Sequence, residues 1–221
     1  MNRRPNQNPD AQNPDAQNQG AQGQDAQGQD GSAAQRVSLA GYLMVASSGV
    51  QDPIFARSVC IIVEHTRERS VGIMLNRRLA IKTDGLWNEL LKGEGVSVNP
   101  ASYINFGGPL DGPLLAIHND EELAEGGNNQ GVFLSAQTET LKKLALATPT
   151  QCRLFVGNIV WASTKLEREI VNGDWHVLPA IPELVFCNEQ TMWHNAIRSV
   201  AEGIISAATG IDPGSQDPER N

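Results

Sequence analysis

Glu64 and His65 stand side by side at the end of an apolar run. A carboxylate beside an imidazole is a pair that can move a proton or share a metal ion. His118 closes another short apolar run and is the third group such a site would need. Together they would make a metal-assisted hydrolase; separately, each is accounted for by a solvated strand end. Arg57, Asn76 and Arg77 bracket the other ends of the same apolar runs and suit recognition of a polar ligand. Gly107-Gly108-Pro109 could turn backbone N–H groups toward an anion. No helix start follows it, and a tight turn between strands is the better explanation. Thr164-Lys165-Leu166-Glu167 fits a capping box, with the Glu167 carboxylate three residues after the hydroxyl. Trp161 adds an aromatic surface near the end of a strand. None of the four histidines, His65, His118, His176 and His194, forms HExxH or HxH, and GxSxG, P-loop and dinucleotide glycine patterns are absent. No cofactor is implied.

The elements that must position these groups lie mainly between Gly41 and Leu79. Leu39 to Ala46 favours a strand, and Asp52-Pro53 then makes a turn or extended corner, because the ring of Pro53 disfavours a helical Asp52. Ser58–Val63 (SVCIIV) lacks polar alternation, the pattern of a strand covered on both faces. Val71–Leu75 (VGIML) is a second such run, and the five polar residues between predict an antiparallel hairpin. That hairpin sets Glu64 and His65 by its turn and sends Arg57 and Asn76 toward the opposite end.

Downstream, Asp84–Leu91 predicts a short helix with Leu86, Leu90 and Leu91 on one face. Short strands are predicted at Tyr103–Phe106, Leu114–Ile117, Gly131–Leu134 and Arg153–Val156, with a loop over Glu121–Gln130. Thr138–Ala147 predicts a helix with Leu141, Leu144 and Ala145 inward, stopped by Pro149. Asp174–Leu178 alternates and is blunted by Pro179 and Pro182, as an edge strand would be. From Asn188 onward, Trp193, Ile197, Val200, Ile204 and Ala208 form an amphipathic helical stripe.

Domain limits follow from composition. Residues 1–36 carry a decaying NPDAQ repeat whose only apolar side chains are alanines, a segment expected to be disordered. Residues 37–209 hold all eleven aromatic side chains and form the expected single domain; residues 210–221 are a frayed tail. The formal net charge is −8. An acidic balance lacks the footprint of a nucleic-acid binder, which argues against direct DNA or RNA contact. Cys60, Cys152 and Cys187 are an odd set without CxxC spacing, expected to be free thiols in a reducing compartment. No apolar stretch approaches the ~18 residues of a membrane span, so no membrane is expected and the cytoplasm is the expected location.

Gly41-Tyr42-Leu43, the Asp52–Val59 segment DPIFARSV, Glu64-His65 and the Gly72–Arg77 segment GIMLNR resemble the opening of the YqgE/AlgH family of bacterial proteins. Gly107-Gly108-Pro109, His118, Trp161, Leu166-Glu167, Trp175 and Leu184-Val185-Phe186 recur in the family's order, so the resemblance spans about Gly41 to Ala201. Gly157-Asn158-Ile159-Val160-Trp161 stands where the family has Gly-Tyr-Ala-Gly-Trp. The resemblance implies an α+β domain: a curved, mostly antiparallel sheet forming a partial barrel, with peripheral helices. It implies no reaction, since members are mostly called uncharacterised and one branch bears a transcriptional-regulator label. The expected function is a non-enzymatic binding or regulatory domain for a small molecule or protein. Its expected contact residues are Arg57, Glu64, His65, Asn76, Arg77, Gly107, Gly108, His118, Trp161 and Glu167.

Overall fold

A computed structural model describes residues 37–82, 85, 103–147 and 151–209. The expected tails at 1–36 and 210–221 lie outside these residues, as does all but Gly85 of the helix expected at 84–91.

The β2–β3 hairpin forms as the apolar runs require. β1 (Tyr42–Ala46), β2 (Val59–His65) and β3 (Arg69–Met74) are consecutive antiparallel neighbours. Register places Cys60 opposite Met74, Ile61 opposite Ile73 and Ile62 opposite Gly72. The pairing then shifts, so that Glu64 faces Val71 and His65 faces Ser70. The turn lacks Asn-Gly because Thr66 shapes it. Its hydroxyl accepts from the Glu68 and Arg69 N–H groups at 3.3 and 3.2 Å.

Two strands from later in the chain complete this sheet. β10 (Ile159–Ala162) pairs with β3 and β11 (Trp175–Pro179) pairs with β1, giving the order β10-β3-β2-β1-β11. The expected edge strand is therefore β11. A second sheet has the order β4-β5-β9-β6-β8-β7. Its strands are β4 (Arg78–Lys82), β5 (Tyr103–Phe106), β6 (Leu115–His118), β7 (Gly126–Gly127), β8 (Phe133–Ser135) and β9 (Cys152–Val156). Among the described residues only β5 and β9 pair in parallel. The class is α+β and mostly antiparallel, but the strands divide between two sheets and neither closes into a barrel.

The unbroken apolar run of β2 is explained by its two covered faces. Val59 and Ile61 point into a core shared with Ile117 and Phe155 of the second sheet and with Met192 and Ala196. Cys60 and Ile62 point the other way, into a core with Trp161, Leu166 and Trp175. The second core is covered by α2 (Ser163–Val171) through Leu166 and Ile170. α1 (Thr138–Ala147) buries Leu141, Leu144 and Ala145 as its spacing predicts, against Ala116 and Leu154.

Three local expectations are corrected. The capping box is not formed. α2 starts at Ser163, its cap is Ala162, and no side chain caps it. Ser163 is instead buried and bonded to the hairpin turn, so the helix start is fixed by a tertiary contact. The 121–130 loop contains a 3-10 turn at Glu121–Leu123 and the short edge strand β7. The last helix, α4 (Glu189–Thr209), follows the short α3 (Pro182–Val185) and docks only its first half. Met192 and Ala196 are buried, whereas Ile204 is 62% exposed.

Candidate functional site

The end of the hairpin away from its turn gathers the polar groups. Asp52 Oδ1 accepts from the N–H groups of Ile54 and Phe55 at 2.8 and 3.2 Å, curling the 52–57 segment into a turn. Arg57 closes it with φ of 57°, an uncommon conformation for a residue with a Cβ. Asn76 holds it there: Nδ2 donates to the Arg57 carbonyl at 2.8 Å and Oδ1 accepts from Val59 N–H at 3.0 Å. Arg77 donates to the Ala56 carbonyl at 2.7 Å. Arg57, Asn76 and Arg77 are thus brought together, with the Arg57 guanidinium 5.8 Å from the centre of the Trp193 ring.

The next residue faces the other way, into a network that sequence reasoning missed. Arg78 Nη2 bonds Glu189 Oε2 at 2.8 Å. Glu189 Oε1 lies 3.2 Å from Arg153 Nη2. Arg153 also donates to the carbonyls of Leu75 and Val185 at 2.6 and 3.0 Å and to Asn105 Oδ1 at 3.2 Å. Its side chain is only 11% exposed. Burial pulls the guanidinium below its ordinary pKa, against the attraction of Glu189. Burial raises Glu189, but the backbone hydrogen bond and the two arginines outweigh it and hold the carboxyl low. One sequence signal was available: Arg153 opens an otherwise apolar strand at a position facing the protein.

Beside this network lies a cleft of about 210 Å³ lined by Asn76, Arg78, Asn188, Glu189 and Gln190. The Asn76–Arg78 segment forms one wall and the first turn of α4 the other. Asn188 folds back on that turn, its Oδ1 accepting from Gln190 N–H at 2.9 Å.

Glu64 and His65 are at the opposite end of the hairpin. Arg69 donates Nε and Nη2 to the two oxygens of Glu64 at 2.8 and 3.2 Å, and these bonds hold the exposed carboxyl below its usual pKa. His65 Nδ1 lies 2.8 Å from Ser70 Oγ, which lies 3.1 Å from Ser163 Oγ. Ser163 donates to the Thr66 carbonyl at 2.8 Å. Each hydroxyl has one proton, so Ser70 must donate to Ser163 and His65 must donate Nδ1–H to Ser70. His65 is therefore the Nδ1–H tautomer when neutral, ordered by two buried serines.

His118, Trp161, Gly107 and Gly108 join neither cluster. His118 sits in the second sheet with no exposed surface. Ser135 Oγ donates to the Leu123 carbonyl at 2.6 Å, so His118 Nε2–H must donate to Ser135 at 3.0 Å. Nδ1 accepts from Asp120 N–H at 3.3 Å, and burial lowers the pKa of the ring. Trp161 is 5% exposed, among Phe55 and Trp175 at centroid distances of 6.1 and 5.9 Å, so it is core and not a contact surface. Gly107 and Gly108 press against the backbone of Gly157 and Asn158, where any Cβ would collide. They serve close packing and leave no open anion cradle. Glu167 lies on α2, on a different sheet from His118. Among the described residues, no group of three or more His, Cys, Asp or Glu could hold a metal ion. Glu64, His65 and His118 therefore do not make one catalytic centre.

Comparison with known proteins gives a consistent result. The AlgH-like family profile matches residues 43–204. A UPF0301 protein of Thermobifida fusca is 30% identical over 189 residues, covering 79% of this chain and 93% of that protein. A UPF0301 protein of Chlorobaculum tepidum is 29% identical over 166 residues, 72% of this chain and 85% of that one. The solution structure of AlgH from Pseudomonas aeruginosa superposes with a TM-score of 0.59 at 22% identity, covering 79% of this chain and 95% of that one; at that identity it supports the fold alone. A crystal structure of a Corynebacterium diphtheriae protein gives 0.57 at 26% identity, over 74% and 88% of the two chains.

Proposed function

The chain belongs to the AlgH-like family, and from that premise we propose that it is a non-enzymatic binding or regulatory domain. Its ligand, a small molecule or a segment of protein, sits in the cleft between Asn76–Arg78 and the start of α4. The observation that carries this reading is the cleft that Asn76 and Arg78 form with Asn188, Glu189 and Gln190 at the start of the last helix, with Asn76 bonded to the Arg57 carbonyl and Arg77 to that of Ala56. Few residues need such a distance-spanning hydrogen-bond framework merely to end a strand. The acid–base candidates support the same reading by their dispersal. Glu64 is tied to Arg69, and His118 is enclosed in the other sheet. We place the protein in the cytoplasm, supported by its free thiols Cys60, Cys152 and Cys187; no described helix is long and apolar enough to cross a membrane.

The test is a ligand screen read by residue. A bound compound should move the resonances of Asn188 and Gln190 and those of the 52–57 turn. The paired substitution Arg57→Ala and Arg77→Ala should weaken it. A ligand bound elsewhere, and undisturbed by that pair, would refute the site.

A further inference from the structure

The hydrogen-bonding groups left over in the cleft define what it can hold. Asn76 has committed its oxygen to Val59 N–H and its amino group to the Arg57 carbonyl. Glu189 Oε2 accepts from Arg78, and Oε1 is ion-paired with Arg153 at 3.2 Å. Asn188 has used its oxygen on Gln190 N–H, which leaves its amino group. Arg78 carries five N–H donors and uses Nη2 on Glu189, with half of its side chain exposed. Gln190 is exposed and contributes an amide that can turn to suit a partner. The uncommitted groups of the cleft are therefore mostly donors, and Arg78 and Glu189 are its two charged lining residues.

A donor-rich cleft of about 210 Å³ selects its ligand by class. Cations find only a carboxylate that is already ion-paired with Arg78 and Arg153. Large apolar ligands need pockets of about 300 Å³ or more walled by apolar side chains, whereas every residue lining this one is polar or charged. An oxyanion matches: it accepts from the Arg78 fork, which suits carboxylate and phosphate geometry, and from the Asn188 and Gln190 amides. We infer that the cleft binds the phosphate or carboxylate group of a small anionic metabolite, with Arg78 as the primary contact. This rests on the reading of the cleft as the binding site and adds the ligand's chemistry.

The test uses the full chain, labelled with nitrogen-15, titrated separately with inorganic phosphate and with acetate at constant ionic strength. The expected result is a saturable shift of Arg78 Nε–H and of the Asn188 and Gln190 side-chain amides, and the anion that produces it distinguishes a phosphate ligand from a carboxylate one. Arg78→Gln and Gln190→Glu both alter exposed cleft positions, and their own spectra report whether they fold. Each should weaken binding about tenfold or more, the effect of losing or opposing a charge-assisted hydrogen bond. Equal binding by the wild type and both variants would overturn the inference. So would the absence of any saturable shift with either anion. If a neutral compound then moved the same amides, the cleft would stand as a binding site and only its anion preference would fall; if no compound moved them, both would fall.

Discussion

Arg153→Met isolates the buried part of the network that walls the cleft. The substitution keeps an aliphatic stem beside Phe155 and removes the guanidinium, whose carbon lies 5.3 Å from that ring centre. Leu75 O, Val185 O and Asn105 Oδ1 each lose a donor, and Glu189 Oε1 loses its inner partner while Oε2 keeps Arg78. Breaking a buried ion pair from one side costs about 3–5 kcal/mol. The three carbonyl-type acceptors left dry, at about 1 kcal/mol each, support the same range. For a domain of this length each kcal/mol moves the melting temperature by about 2–4 °C, so a fall of roughly 6–20 °C is expected. Urea unfolding should show the midpoint drop with an unchanged slope, which separates lost stability from a changed unfolded state. Glu189→Gln in a double-mutant cycle should return a coupling of about 0.5–3 kcal/mol. An Arg153→Met cost below about 1 kcal/mol would refute the reasoning, because it would mean the guanidinium was not holding these carbonyls.

Three other outcomes test the frame around the site. Gly72→Ala brings a Cβ to 2.7 Å from Trp161 Cζ3 and should destabilise by about 1–3 kcal/mol, read by urea unfolding; a neutral result would mean the indole does not lie flat on that strand. Trp193→Ala removes the 2.7 Å hydrogen bond from Nε1 to the Ala46 carbonyl and the packing of a partly buried indole against the core, for about 3 kcal/mol; Trp193→Phe, which keeps an aromatic ring and loses the bond, should cost about 1 kcal/mol. His118 has a folded pKa depressed by burial from its ordinary 6.5, so the unfolded chain binds the extra proton. Stability should therefore be full above about pH 6.5 and decline as the pH falls below it, by at most about 1.4 kcal/mol per pH unit. His118→Gln should remove that part of the slope in chemical denaturation measured across pH, and an unchanged profile would show that the ring is not enclosed.

The hairpin was legible in the sequence because its physics is local. Apolar runs with no polar alternation state that both faces are covered, and the short polar link between them leaves no room for a crossover. The same holds for α1, whose three inward residues follow from spacing alone. Trp161 and His118 were misplaced for one reason: a polar or aromatic residue at the end of a strand reads as exposed, yet here a helix covers one and a second sheet encloses the other. The false capping box at Thr164 has a related cause. Its pattern is correct, but Ser163 had a better use for its hydroxyl in the turn 97 residues earlier.

The cleft shows why half of the site could be read and half could not. Asn76, Arg77 and Arg78 are consecutive, and a strand that ends there must turn successive side chains in different directions. Asn76 and Arg77 reach back along the chain to the 52–57 turn, a contact that a hairpin makes short and a sequence reader can draw. Arg78 reaches forward 111 residues to Glu189. Nothing local announces that reach, since a glutamate in the first turn of a helix is already explained by the helix itself. Arg153 is harder still, because two of its partners are the backbone carbonyls of Leu75 and Val185, which leave no trace in residue type. Each of these residues has an adequate local explanation, and only their separation in space, 2.8 and 3.2 Å between charged atoms, replaces it. Within the proposed site Arg78 is the charge that belongs to both halves: it is positioned by the hairpin and aimed by the last helix.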